Sequence, residues 1–271
     1  MIMQLLRSND PIHRFHLPRI VESTLPWDDP VRGAVLLLGN FDGFHLGHRS
    51  LLRLARGVAQ GRPVAVMSCE PHPRSFFTPD IAPFRLTTRL TKHRGFAIQA
   101  LDYVFEPRFD HRFSSQSPED FASTVLHRDL GVSHVICGAD FRFGRNRQGD
   151  PALLQKMGRR FGYGVTVAPT VASGSGRISS TLIRTCIQRG EAEHALELLG
   201  ADWHIEARYG PDGALRMDPS LCRPAPGLYR AVTVSSEIEC AIEINAAAVL
   251  RPDRAPAPTE AITFRLTGRI S

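Results

Sequence analysis

The chain has 271 residues, of which 42% are hydrophobic and 22% are charged, and its formal net charge is +6. This composition supplies one large hydrophobic core or two smaller ones, which excludes an intrinsically disordered protein. The sequence contains no run of about 18 apolar residues and no signal peptide, so we predict a cytoplasmic protein that spans no membrane. The five cysteines form no CxxC pair, and we predict that they are reduced.

Strand and helix patterns alternate along the first three quarters of the chain. Short apolar runs predict strands, and apolar residues at helical spacing predict helices. The predicted strands are 34–38, 63–68, 102–105, 134–137 and 165–168, and the predicted helices are 46–60, 88–101, 117–130, 150–161, 179–188 and 191–199. Repeated β–α units predict a doubly wound, Rossmann-like α/β fold, in which ligands bind at the carboxyl ends of parallel strands.

The pattern changes after residue 203. The remainder contains seven prolines and no convincing helix, and includes a proline-rich loop at 251–260. Short strands are predicted at 227–234, 240–245 and 262–267. We therefore expect an α/β domain at 1–203 and a small β module at 204–271. The module carries eight basic and eight acidic residues, so the excess positive charge lies in the first domain and favours an anionic partner there.

The segment GNFDGFHLGH, residues 39–48, lies between the first predicted strand and the first predicted helix. Its glycines let the backbone approach a ligand, and the helix directs its unpaired N–H groups and positive dipole end at the turn. His45 and His48 can then donate hydrogen bonds to phosphate oxygens. Zinc is the alternative ligand, but the sequence shows no third ligand for it.

Three further segments offer polar or aromatic side chains at the predicted ligand edge. RISSTLIR, residues 177–184, has an arginine at each end and hydroxyl side chains of the helix-capping type between them. The segment is either an anion-binding site or an ordinary helix cap. GADFRFGRNRQGD, residues 138–150, presents Asp140, while its phenylalanines either line an aromatic ligand or belong to the core. CEPHPRSFF, residues 69–77, presents His72 on a loop that two prolines stiffen.

Together with RFDHRFSSQSPEDF at 108–121, these segments have the order and the intervals of the adenylyltransferase module of bacterial bifunctional FAD synthetases (riboflavin kinase/FMN adenylyltransferases). The chain resembles this family over about 30–203. The resemblance implies transfer of AMP from ATP to FMN, giving FAD and pyrophosphate, with magnesium (Mg2+) bridging phosphate oxygens. It implies small-molecule partners, ATP and FMN, with no nucleic acid and no membrane, and it allows a homo-oligomer.

Matched motif by motif, the resemblance implies three groups of site residues and no protein ligand for a metal. The catalytic group is His45, His48 and Arg177; the ATP-binding group is Gly39, Asn40, Phe41, Gly47, Ser179, Ser180, Thr181 and Arg184; the FMN-binding group is His72, Asp140, Phe141 and Phe143. The histidines would stabilise the transferring phosphate and the departing pyrophosphate. Two positions depart from the family. Phe44 stands where the family commonly has valine, and Thr91, which precedes Lys92, stands where some members have glutamate.

The β module resembles the kinase part of that family only faintly. RPAPGLYRAVTV, residues 223–234, is similar to one strand of the kinase barrel, but 203–226 contain no PTAN motif for ATP and magnesium. We predict a truncated or degenerate kinase-like module without riboflavin kinase activity. It looks too short for a closed barrel and would buttress the first domain or form a dimer contact.

Several alternatives to this interpretation stay open. They are a fully bifunctional enzyme, transfer to another phosphorylated acceptor, and a non-catalytic flavin- or nucleotide-binding paralogue. Nucleic-acid binding is a further alternative, for which FRFGRNR is the one segment that interleaves aromatic and basic residues.

Overall fold

The computed structural model describes residues 18–174, 176–254, 256 and 261–270, so most of 1–30, which has no predicted role, lies outside the described residues. Its first part is built on six parallel strands. They are β1 (Arg19–Val21), β2 (Val35–Leu38), β3 (Val64–Met67), β4 (Tyr103–Phe105), β5 (His134–Gly138) and β6 (Gly164–Ala168). The five predicted strands are confirmed, whereas β1 was not predicted because its first residue, Arg19, is charged and exposed and leaves no continuous apolar run.

The helices lie between the strands of this sheet, except the last two, which lie between the sheet and the second part of the chain. They are α1 (Leu46–Ala59), α2 (Pro73–Phe77), α3 (Arg89–Ile98), α4 (His111–Ser114), α5 (Pro118–Asp120, continued by a π-helix over Phe121–Asp129), α6 (Pro151–Phe161), α7 (Ser180–Arg189) and α8 (Ala192–Leu199). The predicted starts are confirmed where Thr88, Ser117, Asp150 and Ser179 accept a hydrogen bond from a first-turn N–H. The short α2 and α4 were too brief for prediction by spacing. No described helix is both long and apolar enough to cross a membrane.

The sheet order is β1-β4-β3-β2-β5-β6, and every neighbouring pair is parallel. The chain runs outward from β2 through β3 to β4 and then returns to β5 on the other side of β2. Leu36 and Leu37 of the central strand are fully buried in two different hydrophobic clusters, one on each face. In open parallel sheets such a reversal creates a crevice at the carboxyl ends of the strands. The segments 39–48 and 138–150 follow the two strands that flank this reversal.

The second part is a closed antiparallel barrel. Its strands are β9 (Trp203–Tyr209), β10 (Leu215–Met217), β11 (Gly227–Thr233), β12 (Ile238–Ile244), β13 (Val249–Pro252) and β14 (Ile262–Arg269), after the short hairpin β7 (Ala172–Ser173) and β8 (Gly176–Arg177) of the first part. The three predicted strands of the module are confirmed as β11, β12 and β14.

The prediction that the module is too short for a closed barrel is wrong. The ring closes because β9 pairs with both β10 and β14, and because β10 and β13 need only three or four residues each. Strands this short carry too little alternation to be recognised in a sequence. Of the predicted loop at 251–260, residues 251 and 252 belong to β13, and 255 and 257–260 lie outside the described residues.

The barrel packs against the first domain, as a buttress would. Trp203 Nε1 donates a hydrogen bond to the Leu86 carbonyl at 2.7 Å, and the Cys222 N–H donates to the Arg85 carbonyl at 2.8 Å. One hydrophobic cluster continues from the barrel interior to Ile183 in α7. All five cysteines are buried, as core residues are expected to be.

Candidate active site

An open cleft of about 1080 Å³ lies where the loops after β2, β3, β5 and β6 meet. All the predicted site residues line it: Gly39, Asn40, Phe41, His45, Gly47, His48, His72, Asp140, Phe141, Phe143, Arg177, Ser179, Ser180, Thr181 and Arg184. Single small-ligand sites usually have volumes of roughly 300–1,000 Å³. The cleft therefore has room for a large ligand or for two, and the roles of its residues stay predictions.

The turn after β2 holds two bulky residues in a rare backbone conformation. Phe41 and Phe44 have φ angles of 50° and 40°, in the left-handed region that seldom accepts bulky side chains. Their rings stack 5.7 Å apart, and both pack against Phe96. Packing therefore compensates for the strain of the turn, a combination often found at functional sites. It also accommodates Phe44, where the resembling family commonly has valine.

Asp42, which sequence reasoning missed, fixes the same turn from within the protein. Its carboxylate is only 3% exposed, accepts hydrogen bonds from the Leu86 and Thr87 N–H groups, and pairs with Arg184 Nη2 at 2.8 Å. Burial alone would raise the pKa of Asp42, but Arg184 and the Leu86 N–H outweigh burial and hold the pKa below its usual range. Arg184 Nε also donates to the Phe84 carbonyl. Arg184 thus joins α7 to the floor of the cleft, and only the remainder of its guanidinium can serve a ligand.

His45 and His48 form a stacked pair at the start of α1. Their ring centroids lie 3.7 Å apart with an angle of 18° between the planes. A Cβ atom at Gly47 would lie 3.0 Å from the His45 ring, which explains the glycine between the two histidines. The Nδ1 atoms of both rings are buried and have no hydrogen-bond partner among the described residues. Among the described residues, no carboxylate therefore holds the Nδ1 atom of either ring, as one would in a normally oriented general base.

Both imidazoles are neutral at pH 7 in the free protein. Burial lowers the pKa of His45 to about 4, although the nearby Asp42 carboxylate acts in the opposite direction. Burial and the neighbouring His45 lower the pKa of His48 well below its ordinary value. Each ring can therefore offer one N–H to an anion without carrying a charge beforehand.

We expect the fold to lose stability as the pH falls from 6.5 towards 4. Burial lowers the pKa values of His45 and His72 to about 4 from the ordinary 6.5, so the unfolded chain binds these protons first. Above pH 6.5 both states are neutral at these positions and the free energy of unfolding is at its full value. By pH 5 each histidine lowers the free energy of unfolding by roughly 2 kcal/mol. Urea unfolding at pH 7 and pH 5 measures the difference. The double variant His45→Gln/His72→Gln should show a smaller difference, and equal stability of the wild type at both pH values would contradict the expectation.

Two helix starts converge on the cleft. The first turn of α1 contains no acidic residue, and its N-cap, His45, makes no side-chain capping bond. At α7, Ser179 caps the Leu182 N–H, Ser180 donates to the Asp42 carbonyl at 2.9 Å, and Thr181 is exposed. The hydroxyl groups of Ser179 and Ser180 thus have structural partners, whereas the backbone N–H groups of both helix starts suit an anion.

An ion pair spans the opening of the cleft. Arg177 Nη2 lies 2.6 Å from Asp140 Oδ1, and the two side chains are 48% and 61% exposed. The sequence analysis assigned Arg177 to the catalytic group and Asp140 to the FMN-binding group, whereas in the structure the two residues form an ion pair. Exposed pairs of this kind contribute only about 0–1 kcal/mol. The pair can therefore open when an anionic ligand offers Arg177 a better partner.

The other predicted flavin-side residues divide between cleft and core. His72 is buried, and its Nδ1 accepts the Arg74 N–H at 3.1 Å, so it caps α2. Phe143 is buried and packs against Phe121, while the half-buried Phe141 stacks on Phe143 with ring centroids 5.7 Å apart. Phe143 therefore serves mainly the core, and Phe141 has the larger share of surface for a ligand.

An aromatic wall that sequence reasoning missed lines the same side of the cleft. It consists of Phe77, Phe109 and Phe113, with ring centroids 5.7 and 5.9 Å apart along the row. Phe77 is 67% exposed. Exposed aromatic rings beside a cleft suit a planar apolar ligand. The residues occur within the segments 69–77 and 108–121, but no sequence pattern places the two segments side by side.

A buried ionic cluster supports the loop after β3. Glu70 accepts two hydrogen bonds from the Arg85 guanidinium, at 2.8 and 2.9 Å, and pairs with Lys92 Nζ at 3.2 Å. Burial would raise the pKa of Glu70, but these cations outweigh burial and lower it to about 2. Lys92, beside the position that departs from the family pattern, thus anchors α3 to the loop after β3.

Comparisons with known proteins identify the family of this chain. The family model described as FAD synthetase matches residues 28–182. The bifunctional riboflavin kinase/FMN adenylyltransferase of Escherichia coli (strain K12) is 42% identical over 181 residues, which cover 66% of this chain and 58% of that protein. The FAD synthetase of Listeria monocytogenes is 35% identical over 210 residues, which cover 76% of this chain and 84% of that protein. The match thus spans under two thirds of the first relative and most of the second.

A solved structure shares the whole architecture. It is the crystal structure titled macrolide-efflux protein from Streptococcus pneumoniae, with a TM-score of 0.77 and 21% sequence identity. The match covers 93% of this chain and 90% of the chain in that structure. At this identity the likeness establishes the fold alone. The family model, in contrast, spans more than half of the 271 residues and includes the turn with the stacked histidines, the loop of Asp140 and the start of α7. The chain therefore belongs to the FAD synthetase family.

Proposed function

We propose that the protein is a cytoplasmic FMN adenylyltransferase, which transfers AMP from ATP to the phosphate of FMN and forms FAD and pyrophosphate. The observation that carries the proposal is the composition of the cleft. One side has two helix starts, two imidazoles and Arg177, and the other side has a row of aromatic rings, of which Phe77 is exposed and Phe109 and Phe113 are half-buried. A triphosphate and a flavin need these two kinds of surface.

The phosphate side suits ATP. The N–H groups at the starts of α1 and α7 supply donors that are already in place before a ligand binds, and the guanidinium of Arg177 becomes a further donor when it leaves Asp140. Phosphoryl-type transfer depends mainly on positioning and on stabilising charge on phosphate oxygens. His45 and His48 add neutral N–H donors at the centre of this group.

The aromatic side suits the isoalloxazine ring of FMN. Phe77, Phe109 and Phe113 offer ring surfaces, and Phe141 lies on the opposite loop. Stacking on aromatic side chains binds a planar ring without requiring charge. The phosphate of FMN would then extend towards the histidines, where the two ligands meet.

The reaction balances without a catalytic base. An oxygen of the FMN phosphate attacks the α-phosphorus of ATP, the bond from that phosphorus to the bridging oxygen breaks, and the electron pair leaves with pyrophosphate. Because the FMN phosphate is already anionic at neutral pH, no proton has to be removed. Histidines that have low pKa values and lack a carboxylate partner fit this requirement as hydrogen-bond donors.

Mg2+ would neutralise part of the triphosphate charge when bound. Among the cleft residues that the structure describes, the carboxylates are Asp42, which pairs with Arg184, and Asp140, which pairs with Arg177. These residues fit a cation held chiefly by substrate oxygens. Asp140 is the carboxylate that can join it once Arg177 turns to a phosphate.

The direct test is to incubate the full chain with FMN, ATP and magnesium and to separate flavins by chromatography. FAD and pyrophosphate in equal amounts are the expected products. FMN left unchanged by a folded protein would reject the proposal, and adenylylation of a different phosphorylated acceptor in the same assay would replace it.

A second candidate is a fully bifunctional enzyme, and the closed barrel is the observation that favours it. We nevertheless expect no FMN from riboflavin and ATP. Residues 203–226 contain no PTAN motif and instead form β9, β10 and the start of the connection to β11. Riboflavin offers a hydroxyl group, which needs both a nucleotide site and proton removal. Any FMN or FAD above a control without enzyme would show that the barrel is an active kinase.

A further inference from the structure

Three side chains of the kinds that bind transition metals meet outside the cleft, at the turn between α7 and α8. The ligand atoms of Cys186, Glu191 and His194 all lie within 4.8 Å of one another. Cys186 Sγ is 3.7 Å from His194 Nδ1, and that nitrogen is 3.9 Å from Glu191 Oε2. None of the three residues lines the cleft.

The backbone of this turn is fixed independently of its side chains. Gly190 has a φ angle of 78°, and the Glu191 N–H donates to the Cys186 carbonyl at 2.9 Å, as in a Schellman motif. A Cβ atom at Gly190 would also collide with the Arg269 guanidinium. The turn therefore holds the three side chains near one another before any ligand binds, which reduces the ordering cost of binding.

The separations are close to those of a tetrahedral zinc site. With Zn–S near 2.3 Å and Zn–N and Zn–O near 2.0 Å, tetrahedral angles give about 3.5 Å between sulfur and nitrogen and about 3.3 Å between nitrogen and oxygen. The observed sulfur–nitrogen and nitrogen–oxygen distances of 3.7 and 3.9 Å exceed these, and the sulfur and the carboxylate oxygen lie within 4.8 Å of each other, so side-chain rotations have to bring the carboxylate closer. Cys186 is buried, whereas the side chains of Glu191 and His194 are 47% and 34% exposed. A cation can thus arrive from solvent and keep a water molecule as its fourth ligand.

We propose that Cys186, Glu191 and His194 form a binding site for one divalent transition-metal cation of the Zn2+ and Co2+ class. Binding breaks the S–H bond of Cys186, forms a sulfur–metal bond and releases the proton to solvent. Thiolate and imidazole ligands select this class over Mg2+, which takes oxygen ligands. The site is therefore separate from the magnesium of the proposed reaction and does not depend on that reaction.

A hydrogen bond from the Cys186 thiol to His194 is the simpler explanation of the short sulfur–nitrogen distance. Glu191 takes part in such contacts as well, because its carboxylate is a hydrogen-bond partner of the thiol and lies 3.9 Å from the same nitrogen. The two explanations differ in what they predict when a metal is added, because a hydrogen bond alone gives no stoichiometric binding.

The test is a Co2+ titration of the full chain under reducing conditions, followed by ultraviolet absorption. We expect a thiolate-to-cobalt charge-transfer band that saturates at one equivalent and persists in excess Mg2+. Cys186→Ser should abolish the band, and His194→Gln, a half-exposed position at which folding is not at risk, should weaken binding at least tenfold. Cys240→Ser, which alters a barrel cysteine, is the matched control and should retain the band.

Absence of the band in the folded wild type would overturn the proposal. A band that survives in Cys186→Ser, or one that His194→Gln leaves at full affinity, would assign the cobalt to other residues and would also overturn it. If Cys186→Ser does not fold, the comparison of His194→Gln with Cys240→Ser decides the question.

Discussion

Replacing Arg177 by alanine should lower kcat for FAD formation by roughly 10²–10³-fold, the usual cost of losing one preorganised charge-stabilising donor. The side chain lies on the hairpin over the cleft, and its one ion-pair partner among the described residues is the exposed Asp140. A phosphate oxygen that gains negative charge during transfer would bind the guanidinium more strongly than the ground state does. Stability should change little, because exposed ion pairs contribute only about 0–1 kcal/mol.

Steady-state kinetics and thermal unfolding of the same preparation measure both parts of this prediction. Arg189→Ala is a matched control, since it removes an exposed arginine from the far end of α7, outside the cleft. The control should keep wild-type kcat, and both variants should unfold within about 3 °C of the wild type. Wild-type turnover in a folded Arg177→Ala protein would remove Arg177 from the catalytic group.

His48→Ala should lower kcat by a similar factor, roughly 10²–10³-fold, through the loss of a neutral N–H donor. His48 stacks on His45 and contacts the Phe41 ring, so the substitution also disturbs the turn that positions its neighbour. Because the two imidazoles act as a unit, the double variant His45→Ala/His48→Ala should lose less activity than the product of the single losses.

The matching control for the histidine is His127→Ala. His127 is exposed and its imidazole stacks on Phe161. The residue does not line the cleft. Its removal should leave kcat unchanged. If the two single losses in the histidine pair simply multiply, the rings act independently and the stacked arrangement has no catalytic role.

Local features of the molecule follow directly from the sequence. The starts of α3, α5, α6 and α7 are visible because a capping side chain and its first-turn N–H lie within three residues. The strands β2 to β6 of the sheet are visible because buried parallel strands are continuous apolar runs. The segments 39–48, 69–77 and 138–150 reach one cleft because each follows a strand of the sheet, and parallel strands end at the same edge. The segment 177–184 reaches the same cleft through the hairpin of β7 and β8 that follows β6.

What the tertiary structure decided is which distant residues meet. Asp42 and Arg184 are 142 positions apart, and Asp140 reaches Arg177 from a different loop, so no local spacing reveals either pair. The barrel closes through strands of three and four residues, whose pairing depends on twist and register rather than on pattern. Hydrophobic periodicity specifies which face of an element is buried, but contacts between elements depend on how those faces pack in three dimensions.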